Sequence, residues 1–124
     1  MIGYVTLGTN NLQENAGFYD AIAEVMGTGR MMEFPTFIAW GNPDAPGIGL
    51  TQPFDQKPAT VGNGVMVALQ AKDRSQVDRL YETALANGGT DEGAPGERSP
   101  GFYAAYFRDK DGNKLNAFVM EAAG

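Results

Sequence analysis

Between Tyr4 and Gly8 the chain alternates: Val5 and Leu7 point one way, Tyr4 and Thr6 the other. A period of two marks a strand with two distinct faces. The alternation returns at Val65, Val67 and Leu69 against Met66, Ala68 and Gln70. After each strand the apolar spacing changes to three and four. Leu12, Ala16, Tyr19, Ile22, Ala23 and Met26 form one stripe; Val77, Leu80, Tyr81, Ala84 and Leu85 form another. Such stripes predict two helices lying on a sheet, with Tyr19 and Tyr81 as packing residues. Asn11 with Glu14 and Asp73 with Gln76 have the spacing of capping boxes at the helix starts. Gly27 and Gly88-Gly89 stand where the helices should stop.

The two halves repeat one another. The stretch from Tyr4 lies over the stretch from Met66 without a gap, so that Val5 meets Val67, Leu7 meets Leu69 and Tyr19 meets Tyr81. A slightly larger offset sets Ala39 over Ala105, Trp40 over Tyr106 and Gly49 over Asn116. Turn sequences, Asn42-Pro43-Asp44 and Asp109-Lys110-Asp111-Gly112-Asn113, join the later strands in each half. Each half therefore reads β-α-β-β-β, with strands near 2–8, 29–34, 36–42 and 47–52, then 64–71, 90–94, 101–108 and 113–120. The stretch 90–100, with two prolines and two glycines, reads equally as a loop. Module 1 spans 1–55 and module 2 spans 62–124, joined by a proline- and glycine-rich linker. Either half alone is marginal for a stable core, so the expectation is one α+β domain, 1–124, of paired βαβββ modules with curved mixed sheets around a concave cavity.

Composition narrows the chemistry. There is no histidine and no cysteine. That removes the commonest acid/base group near neutral pH, the commonest transition-metal ligand, and all disulfide and thiolate chemistry. Nine basic residues against 15 acidic ones give a formal net charge of −6, and no element gathers the basic residues. A phosphate backbone needs a positive footprint, so no nucleic-acid role is expected. No stretch approaches the roughly 20 apolar residues of a bilayer crossing, and the first ten residues lack a signal-peptide pattern. The expectation is a cytoplasmic protein without a membrane partner.

The paired modules, opening on Tyr4–Asp20 and closing on Gly101–Phe118 with its Asp109-Lys110-Asp111-Gly112-Asn113 turn, resemble the vicinal oxygen chelate superfamily of glyoxalases, extradiol dioxygenases and bleomycin-binding proteins. The resemblance covers nearly the whole chain. It implies a pocket walled by the sheet faces that turn away from the helices. In metal-dependent relatives histidine, glutamate or glutamine ligands come from the first, fourth, fifth and eighth strands. Those places fall here on Tyr4, Gly49, Met66 and Asn116. A phenol, a hydrogen, a thioether and an amide make a poor cage for a divalent ion, so neither metal nor other cofactor is expected.

The candidate ligand-binding residues are Tyr4, Met66 and Asn116, with Trp40, Tyr103 and Tyr106 from an aromatic group that also holds Phe37. Tyr4 offers a phenol, Asn116 a donor and an acceptor, and Met66 an adaptable wall. For each there is a plain alternative, packing or a satisfied structural amide. Glu33, the one carboxylate in the apolar run Met31–Pro35, is the only candidate acid or base. The leading expectation is a metal-free binder of an apolar or aromatic small molecule, acting as a homodimer. An enzyme of glyoxalase or dioxygenase type with a non-standard site is the alternative. A third possibility, an interaction module, would have its cavity filled; an open pocket of roughly 300 Å³ or more would argue for a ligand instead.

Overall fold

The computed structural model describes residues 1–122. The first module runs β1 (Tyr4–Gly8), α1 (Leu12–Val25), β2 (Arg30–Phe34), β3 (Phe37–Trp40) and β4 (Gly47–Thr51). The second runs β5 (Val67–Gln70), α2 (Arg74–Ala86), β6 (Thr90–Ser99), β7 (Phe102–Arg108) and β8 (Lys114–Met120). Each module makes one four-stranded sheet, in the order β1-β4-β3-β2 and β5-β8-β7-β6. In both, the first strand pairs parallel with the last and the remaining pairs are antiparallel. This is the α+β architecture of paired βαβββ modules.

The duplication extends to register. Val5 sits opposite Ile48 as Val67 sits opposite Leu115, and Thr6 opposite Gly49 as Ala68 opposite Asn116. One part of the sequence alignment is corrected. Ala39 pairs with Gly49 and Tyr106 with Asn116, so Ala39 corresponds to Tyr106 and Trp40 to Phe107. A one-residue slip moves every side chain to the opposite face.

Both helices begin as their sequences direct. Asn11 Oδ1 accepts from the Glu14 amide, and the Asn11 side-chain amide donates to Glu14 Oε2. Asp73 accepts from the Gln76 amide, while Gln76 Oε1 takes the Lys72 amide one residue before the cap. These contacts satisfy amide groups that the first helical turn leaves unpaired. The core lies between helices and sheets: Leu7, Phe18, Tyr19, Ile22, Ile38, Trp40 and Leu50 from the first module meet Val77, Leu80, Phe107, Leu115 and Ala117 from the second.

Segment 90–99 is a strand despite its glycines and proline. It lies at the edge of its sheet, and its pairing to β7 slips at three places. An edge position lets Pro95 lack an amide hydrogen, and bulges absorb the irregular spacing.

The Asp109–Asn113 turn fastens one module to the other. Asp109, only 3% exposed, accepts from the Asp111 and Asn113 amides, from Asn113 Nδ2 and from the Tyr19 hydroxyl. Asp111 accepts from the Asn10 amide at 3.0 Å and from Asn15 Nδ2 at 2.6 Å. Asn113 Nδ2 also donates to the Gly8 carbonyl at 2.9 Å. The turn that carries the family resemblance is thus a clamp on α1 and the end of β1. Burial, and after it the Asp109 charge, pushes the Tyr19 phenol well above its ordinary value.

Candidate ligand-binding site

Each sheet covers its helix with one face and leaves the other open. On the first sheet the residues that alternate with core residues Leu7, Ile38 and Leu50 are Tyr4, Thr6, Phe37, Ala39, Gly47 and Gly49. Met32 and Phe34 join them, opposite Ala39 and Phe37. This open face is apolar, and much of it is exposed: Tyr4, Met31, Met32 and Phe34 all lie bare. Two glycines form its floor. A Cβ on Gly49 would stand 2.5 Å from the Phe37 ring, which therefore fills the space a side chain at position 49 would need. Tyr4, Met31, Met32, Phe37 and Ala39 wall a hollow of about 240 Å³ closed at one end by Asn42 and Pro43.

The open face of the second sheet differs in chemistry. Here Tyr106, Lys114 and Asn116 stand where the first sheet has Ala39, Gly47 and Gly49. Asn116 is 2% exposed, and among the described residues its Oδ1 has no hydrogen-bond partner. Buried polar atoms are seldom left so, because an unmet acceptor costs about 1–3 kcal/mol. Arg98 and Lys114 each stand 5.5 Å from the Tyr106 ring centroid. Met66, just before β5, walls a hollow of about 460 Å³ with Val61, Val65, Arg108 and Lys114. It also borders a second space of about 390 Å³ between the modules, which touches Val5, Gly47 and Ala68.

The sequence candidates therefore divide. Tyr4, Tyr106 and Asn116 belong to open faces, and Met66 to the rim between them, but Tyr4 and Met66 wall different hollows. Trp40 and Tyr103 turn to the helices. Trp40 is buried, its ring 5.3 Å from that of Tyr19, and its Nε1 donates to Asp20. Tyr103 packs on the core and donates to Asp78 at 2.6 Å, which raises its phenol above the ordinary value. Both positions follow from strand parity, since Trp40 alternates with Ala39 and Tyr103 with Ala104. Glu33 lies opposite core residue Ile38, is exposed, and is ion-paired with Arg30. Arg30 also grips Asp20, and this hydrogen bond holds the Asp20 carboxyl below its ordinary value. The exposed Met31, Met32 and Phe34 were not singled out from sequence. Their run of adjacent apolar residues has no period of two to assign a face.

The residues at the family's ligand positions do not fit a divalent ion. They are Tyr4, Gly49, Met66 and Asn116, and Phe37 occupies the space above Gly49. Among the described residues no group of three histidine, cysteine or acidic side chains is placed to hold a metal. Zn²⁺ and the first-row transition ions are held in proteins mainly by imidazole, thiolate and carboxylate donors, which these four positions lack.

A pair of βαβββ modules with an open face on each sheet defines a glyoxalase-like fold. The sequence profile of the Glyoxalase/Bleomycin resistance protein/Dioxygenase superfamily matches residues 1–117, and the chain belongs to that family. A solved glyoxalase/bleomycin resistance protein from Albidiferax ferrireducens is 37% identical, with TM-score 0.89, covering 96% of this chain and 98% of that one. A glyoxalase/bleomycin resistance protein/dioxygenase family enzyme from Burkholderia phytofirmans is 22% identical, with TM-score 0.77 and coverage of 95% and 97%. A lactoylglutathione lyase from Agrobacterium tumefaciens is 20% identical, with TM-score 0.70 and coverage of 96% and 92%. These last two share the fold. No curated protein matches the chain.

Proposed function

We propose that this protein binds an apolar or aromatic small molecule on its open sheet faces and does so without a divalent metal. The observation that carries the reading is the first open face, where Tyr4, Met31 and Met32 are exposed around a hollow and Phe34 is exposed opposite Phe37. Large apolar side chains gathered on one face mark a binding surface more often than a bare exterior. The hollows of about 460 and 390 Å³ are of ligand size and argue against a cavity filled by side chains. The enzymatic alternative loses its candidate base, because Glu33 is exposed on the helix-side face and paired with Arg30.

A thermal-shift series with neutral aromatics such as indole and 1-naphthol, with and without a chelator, tests the reading. Selective binding to the native state raises the melting temperature as ligand concentration rises. The expected outcome is a dose-dependent rise that the chelator leaves unchanged. No shift with any neutral aromatic, or a shift that needs added Zn²⁺ or Mn²⁺, would overturn it.

The same reading includes a homodimer. β2 ends its sheet, and an exposed sheet edge gains from pairing with a second copy. Sedimentation at tens of micromolar, by order of magnitude for a modest interface, is expected to give a dimer. A monomer there would end this part of the proposal.

A further inference from the structure

The second open face carries a concentration of positive charge in a chain whose formal net charge is −6. Arg108 and Lys114 stand directly opposite each other across β7 and β8. Like charges in that relation repel, and the arrangement is costly unless something neutralises it. Glu92 pairs with Arg108. Among the described residues neither Lys114 nor Arg98 has an ion-pair partner. Both instead flank the Tyr106 ring, each 5.5 Å from its centroid.

Arg98 reaches that place because β6 is bare beneath it. A Cβ on Gly96 would lie 2.9 Å from one guanidinium nitrogen, and one on Gly93 would lie 3.2 Å from the other. The guanidinium is tied down by the Gly96 and Ala94 carbonyls, at 2.9 and 2.6 Å. It is thus positioned by the backbone and its charge is left unneutralised. Lys114, with Arg108, lines a hollow that turns apolar beyond them, where Val61, Val65 and Met66 are exposed along its wall. Cations at one end and exposed apolar side chains at the other describe a site for an amphipathic anion.

We propose that this face binds an organic anion, a carboxylate or phosphate ester with an apolar body, its acid group taken by Lys114 and its body resting on Val61, Val65 and Met66, while Arg98 adds to the positive field from the far side of Tyr106. The inference rests on the small-molecule reading above and specifies the ligand's charge.

Calorimetric titration at low and at physiological salt tests it with 1-naphthoate and 1-naphthyl phosphate, against neutral 1-naphthamide and against acetate and inorganic phosphate. A charge-assisted contact held by one cation should give roughly tenfold or greater preference for the naphthyl anions over the amide. That preference should shrink as salt rises. Lys114→Met should abolish the preference of anion over amide, and Lys114→Gln provides a second variant should the first fold poorly. Whichever acid binds tighter identifies the headgroup. Equal affinity for anion and amide would overturn the inference and leave the small-molecule reading standing. Binding of acetate or phosphate as tight as of the naphthyl anions would keep the anion site and sink the apolar body. Failure of every naphthyl compound would sink both.

Discussion

Asp109→Ala is expected to cost about 3–5 kcal/mol of stability, because it breaks several hydrogen bonds to one buried carboxylate, enough to unfold a large fraction of a marginally stable domain. The carboxylate is buried and among the described residues no cation pairs with it; four hydrogen-bond donors hold it instead. Removing it strands the Tyr19 hydroxyl and three turn donors in a site with little access to water, and stranded donors carry the full desolvation penalty. Asp109→Asn keeps the shape but turns an amide nitrogen toward two donors, so an intermediate loss is expected. Urea titration measures both, and a loss under about 1 kcal/mol for the alanine variant would show that the turn is not the clamp it resembles. Tyr19→Phe supplies the pH signature. Burial holds the folded-state phenol above its unfolded value, so its contribution is complete below about pH 10 and disappears as pH rises past that value. Wild type should therefore weaken on alkaline titration more steeply than Tyr19→Phe.

That clamp shows what the sequence exposes and what it hides. The hydrophobic period and capping pairs were legible because they are local: Asn11 with Glu14 and Asp73 with Gln76 lie within one helical turn. The duplication was legible because both halves solve the same packing problem. The role of Asp109 was not, since its partner Tyr19 lies 90 residues away. Nor were the faces of β3 and β7. Aligning Trp40 with Tyr106 places both on one side, whereas the ladders match Trp40 with Phe107 and send Tyr106 to the open face. Short strands with apolar residues on both faces carry no alternation to correct a slip of one. Tyr4 and Asn116 were legible as open-face residues because Val5 and Leu7, and Leu115 and Ala117, bracket them with apolar neighbours. The placement of Lys114 and Arg98 beside Tyr106 was not legible, because only the fold brings β6 and β8 to the two sides of β7.

Asn116→Leu is expected to make the protein more stable and less able to bind. The two side chains are close in volume, so the substitution leaves little cavity and little strain. On the open face its cross-strand neighbours are Ala68 and Tyr106, neither of which gives its Oδ1 a hydrogen bond. The wild-type amide keeps an acceptor in this setting with no partner among the described residues. Removing an unmet buried acceptor returns about 1–2 kcal/mol, which in a domain of this size raises the melting temperature by several degrees. A stabilising change is an unusual expectation for a buried polar residue, and that makes it diagnostic. Were the amide a satisfied structural element, the leucine variant would melt lower than wild type. Were it idle, melting would rise while aromatic binding stayed as it was. Only an amide held unpaired for a ligand predicts both a higher melting temperature and weakened binding of the naphthyl compounds, the trade of stability for function that binding sites commonly show.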